Sequence, residues 1–169
     1  GLILHATDRS AEAMRSFDEE IASDSHGHVY GPEFAANAML AGGFASLFGA
    51  DRDTALQMFD RALAITPLHA RAMLGIACVK KTDREFAAVD GAIAELNRNG
   101  RHNEAALVDA GHLLARKRDD EAATHLHRLL DAAPTGPAAW ILPIDPMLAA
   151  IRNSSHGANL LAKLAARAA

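Results

Sequence analysis

The chain is poor in cysteine: Cys78 is the only one among 169 residues. That excludes an intrachain disulfide and any zinc or iron–sulfur site built from several thiolates. It fits a reducing, cytoplasmic compartment. Aromatic residues make up only 5%, with one Trp and one Tyr. No apolar run approaches the roughly 20 residues that span a bilayer, so no membrane segment is expected. No secretory leader pattern opens the chain. Cationic excess is missing too: 17 Lys and Arg face 21 Asp and Glu, for a net charge of −4. Nucleic-acid binding needs clustered basic residues to displace counterions, so that class of partner is not expected. The nearest candidates, Lys80-Lys81-Arg84 and Arg116-Lys117-Arg118, are each followed closely by acids and read as solvated turns.

Catalytic motifs are equally scarce. The sequence has no GxxxxGK[ST], GxGxxG, GxSxG or HExxH. Cys78 lies in an apolar segment and reads as a packing residue, not a nucleophile. Paired acids at Asp18-Glu19-Glu20 read as an outer helix face. Those at Asp119-Asp120-Glu121 read as a helix start, where carboxylates favour the dipole. Of the nine histidines, His125 and His127 are two apart on a helix and cannot share one ion. His102 and His112 show no ligand partner in sequence. Asp24, His26 and His28 share one loop, and a small metal carrier or enzyme using His26 and His28 is one functional reading. We expect no catalytic residue, no metal and no cofactor.

What the chain does have is repetition. Residues 1–22 and 43–64 align without a gap at an offset of 42. Gly1 meets Gly43, Ala13 meets Ala55, Phe17 meets Phe59, Asp18 meets Asp60 and Ala22 meets Ala64. Ala110, Ala122, Leu126 and Leu130 repeat the internal spacing more faintly. Half of the residues are hydrophobic, and many are alanine, which suits close helix-on-helix packing better than a β-sandwich. Self-similarity at a fixed period in a helical pattern points to an all-α solenoid.

Helices are expected over 34–48, 54–65, 70–79, 84–98, 103–115 and 121–133. Leu56, Phe59, Ala62 and Leu63 give the second an apolar face, as Phe86, Val89, Ile93 and Leu96 give the fourth. Thr66-Pro67 and Pro134 stop two of them, because the residue before proline avoids the α region. Asn99-Gly100 stops another with a left-handed residue. Residues 23–32, polar and glycine-rich, read as a protruding loop.

The spacing Gly43, Ala55, Phe59, Ala62, Pro67 (small, small, large, small, proline) resembles the tetratricopeptide repeat (TPR) family. Ala110, Ala122, Leu126, Leu129 and Pro134 form a looser copy. Ala77, Val89, Ile93 and Leu96 form a middle one, with Lys80 where an apolar residue is usual. The resemblance implies a right-handed superhelix of antiparallel helix pairs over 1–135, with a partial unit at 1–31 and units at 36–69, 70–102 and 103–135. Gly1 would then fall midway along a first helix, so the natural chain is expected to continue upstream. Residues 136–169 are similar to the closing segment of many bacterial TPR proteins attached to signalling or regulatory domains, and are expected to cap the solenoid. Within it, Asp145-Pro146 is a helix start by the rules of N-capping.

The resemblance also implies a concave groove lined by first helices. Carried over, its residues are Asn37, Leu40, Phe44 and Leu47, then Arg71, Leu74, Cys78 and Lys81, then Glu104, Leu107, Gly111 and Leu114. The expected function is a non-catalytic protein–protein interaction scaffold that takes a peptide or partner domain, unless the groove is filled by the chain's own tail. A regulatory or oligomerisation appendage of a larger signalling protein is the alternative. Leu2, Ile3 and Leu4 are the residues expected to pair with a second copy in a homodimer.

Overall fold

The computed structural model describes residues 1–23, 31–132, 142–152 and 154–168. The described residues are helical, with no strand among them. The order is α1 Leu2–Ala6, α2 Ser10–Ser23, α3 Gly31–Phe48, α4 Arg52–Ile65, α5 Ala70–Lys80, α6 Asp83–Arg98, α7 His102–Ala115 and α8 Asp119–Ala132. A single 3-10 turn at Pro146–Leu148 leads into α9 Ala149–Arg152 and α10 Ser155–Ala168. The chain divides into two compact units, Gly1–Ala92 and Ile93–Ala169, so the division falls inside α6. The described C-terminal residues thus belong to the same unit as α7 and α8.

In the first unit each helix packs on the next along α1–α5, and α3 also packs directly on α5. The two copies of the repeat make the same contact. A Cβ built on Gly43 would lie 2.6 Å from the Phe59 ring. One built on Gly1 would collide with the Phe17 ring at the same 16-residue separation. Ala13 and Ala55 are buried beside these rings. Phe59 is hemmed from a second side as well, because a Cβ on Gly75 of α5 would also meet its ring. Glycine at 43 and 75 therefore lets α3 and α5 approach α4 to the distance a phenyl ring sets. Phe44 closes a further side edge-on, with ring centroids 4.9 Å apart and planes at 63°.

The turns repeat too. Seven residues after Gly1, Gly43 and Ala110 come Asp8, Ala50 and Lys117, with φ of 60°, 66° and 62°. Each ends its helix in the left-handed region, the usual way to satisfy the last carbonyls. The middle copy departs from this: its left-handed residue is Lys81, only four after Ala77. Thr82 and Glu85 then form a reciprocal cap on α6, with the Glu85 N–H donating to Thr82 Oγ1 at 3.5 Å and the hydroxyl donating to the Glu85 carboxylate. So α5 stops early and α6 starts early, while the 12-residue step from Ala77 to Val89 matches that from Gly43 to Ala55. The charge of Lys80 is thereby left at the helix end, exposed and 3.9 Å from Glu85. Arg52, at the start of α4, donates to the Val79 carbonyl near the end of α5.

In the second unit α7 packs on α8, and α10 packs on α8 and α9. Asp145 accepts the Met147 N–H at 2.9 Å and Pro146 follows it, both buried. The expected cap and first-position proline are therefore present, although they open a 3-10 turn and not an α-helix. Ser154 receives the Gly157 N–H at 3.3 Å and donates to the Ile151 carbonyl at 2.6 Å, fixing the corner between α9 and α10. Leu126 occupies the place that Phe59 has in the first unit, with Ala110 in place of Gly43. Leucine is smaller than phenylalanine, and Gly157 of α10 lines the space beside it. A small apolar cleft, open to solvent, lies among Leu126, Leu148, Gly157, Leu160 and Leu164.

Candidate binding face

The groove residues expected from the sequence fall on α3 and α5 in the first unit and on α7 in the second. They divide by burial. Asn37 and Lys81 are exposed, and Leu47, Arg71 and Cys78 are half-buried. Leu40, Phe44 and Leu74 are buried in the core, so these three are not presented to a partner. The physical reason is visible at Phe44, whose ring turns toward Phe59 of α4. Helix α3 is buried around nearly its whole circumference between Ala35 and Phe44, because α2, α4 and α5 all pack on it. In the second unit Glu104 and Leu107 are half-buried, whereas Gly111 and Leu114 are buried. Glu104 also pairs with Arg101 across the first turn of α7.

The groove residues left accessible in the first unit are therefore Asn37, Leu47, Arg71, Cys78 and Lys81. Cys78 is not an activated thiol. Its burial pushes the pKa up to about 11, and the nearby charge of Lys81 pulls only weakly the other way. A thiol in that state is protonated at neutral pH and packs as a small hydrophobe.

The histidines differ in burial and in partner. His5 and His112 are buried, and Arg116 Nε lies 2.8 Å from His112 Nε2. His102 Nδ1 lies 3.1 Å from Asn97 Oδ1. His125 on α8 is 2.6 Å from Asp109 on α7, and His156 on α10 is 2.8 Å from Asp120 on α8. The last two pairs join neighbouring helices, a role that the sequence spacing does not reveal because each partner sits on a different element. Among the described residues no three His, Cys, Asp or Glu side chains converge as a metal site. His26 and His28 lie outside the described residues. The acids Asp18, Glu19 and Glu20 are exposed on α2, and Asp119, Asp120 and Glu121 form the first turn of α8, as expected from dipole chemistry.

The apolar start is split. Leu2 and Leu4 pack against the Ala13, Phe17, Ala38 and Ala41 cluster, while Ile3 is 66% exposed. Other large apolar side chains left outside are Phe34, Phe48, Leu68 and Leu161. Leu68 is 80% exposed at a φ of 64°, which places a bulky residue in a strained turn conformation. No helix of the described residues is long and apolar enough to cross a membrane. No family model matches the chain, and no curated protein or solved structure is detectably similar to it.

Proposed function

We propose that the chain is a TPR-like scaffold, non-catalytic and cytoplasmic, that binds a protein or peptide on the face shared by α3 and α5. The observation that carries this reading is the direct packing of α3 on α5 with α4 set against both. Helices that open successive pairs lie side by side, the arrangement by which solenoids build a continuous binding surface. The repeated glycine–phenylalanine contacts and the repeated left-handed turns support the same reading. Asn37, Leu47, Arg71, Cys78 and Lys81 are the residues assigned to the face in the first unit, and Glu104 and Leu107 to its counterpart in the second. This mixture of polar and apolar residues suits a peptide, with Arg71 and Lys81 favouring acidic groups.

The test is a capture experiment with the full chain as bait in source lysate, read by mass spectrometry beside the variants Asn37→Ala and Arg71→Glu. A protein enriched by the wild type and lost with either variant supports the reading, provided that circular dichroism shows both variants folded. Equal recovery by all three sinks the assignment of this face. A second reading, a self-associating regulatory appendage, is favoured by exposed Ile3 beside the packed Leu2 and Leu4. Sedimentation of the wild type and Ile3→Glu separates it: a dimer that the variant dissolves supports self-association, and a concentration-independent monomer removes it.

A further inference from the structure

We draw no further inference here: the strongest candidate, the apolar cleft between α8 and α10 lined by Leu126, Leu148, Gly157, Leu160 and Leu164, is an unpartnered apolar surface and nothing in the structure shows what covers it.

Discussion

Replacing Gly43 with alanine adds one methyl group where the first unit has no room for it. At an unconstrained helix position the change would stabilise by about 1 kcal/mol through backbone entropy. Here the new Cβ would stand 2.6 Å from the Phe59 ring. The ring cannot retreat, because it is wholly buried and Gly75 and Phe44 hold its other sides. Overpacking of this kind costs about 1–3 kcal/mol, so the net expectation is a loss of about 1 kcal/mol. Phe59→Leu alone opens a void and costs about 1–2 kcal/mol. The second unit shows how the two changes fit together, since it carries alanine at 110 and leucine at 126 with the same separation. The double variant Gly43→Ala/Phe59→Leu should therefore lose less than the sum of the singles, with a coupling of about 1 kcal/mol or more. Urea unfolding followed by circular dichroism measures all three. Stabilisation by Gly43→Ala alone, or single effects that simply add, would refute the picture of a ring clasped between two backbones.

Four further outcomes are expected. Leu126→Phe should fill part of the cleft beside Gly157 and raise stability by about 1 kcal/mol; a lowered urea midpoint would show that the space is not where a ring can reach. Asp145→Ala should cost about 1–2 kcal/mol by removing the acceptor of the Met147 N–H, whereas Asp145→Asn should keep most of it, and equal losses in thermal melts would contradict the capping role. Cys78 should react with iodoacetamide at pH 8 on the order of 100-fold more slowly than a free thiol, because burial raises its pKa to about 11; ordinary reactivity would place the thiol in solvent. Lys163 on α10 lies 2.6 Å from Asp131 on α8, and this hydrogen bond holds the Asp131 carboxyl below its usual range. A depressed carboxyl stabilises fully above the unfolded value near pH 4 and loses that contribution as the pH falls through its folded value. Protection of the α10 amides, taken relative to the intrinsic exchange rate at each pH, should therefore fall on acidification below about pH 4, and Asp131→Asn should blunt the change; an identical acid response in the variant argues against the pair.

Much of the helical framework was legible because its signals are local. Thr66-Pro67 stops α4 with Thr66 in an extended conformation, and Asn99-Gly100 ends α6 with a left-handed glycine at φ 73°. The 42-residue offset between Gly1 and Gly43 carried through to matching ring contacts. The candidate face was less legible because burial depends on what lies across from a side chain. Leu40, Phe44 and Leu74 have the spacing of groove residues, yet α2, α4 and α5 surround α3 and close over them. The turn at Lys81 falls where the helices expected over 70–79 and 84–98 leave it, and Thr82 and Glu85 carry a capping-box spacing there. The helix-joining pairs of His125 and His156 link residues 16 and 36 positions apart, separations at which one sequence carries no pairing signal.

The enclosure of Phe59 has a consequence for motion. A phenyl ring turns over by sweeping its edges through the space beside its faces, and here that space is bounded by the backbones of α3 and α5 at Gly43 and Gly75. The ring can flip only when those helices part for a moment, because a close-packed interior offers no spare volume. Its flip rate, resolved as separate or averaged ring signals in NMR spectra, becomes a clock for the breathing of the first unit. A ligand that clamps α3 to α5 would slow that clock from a distance, without touching the ring.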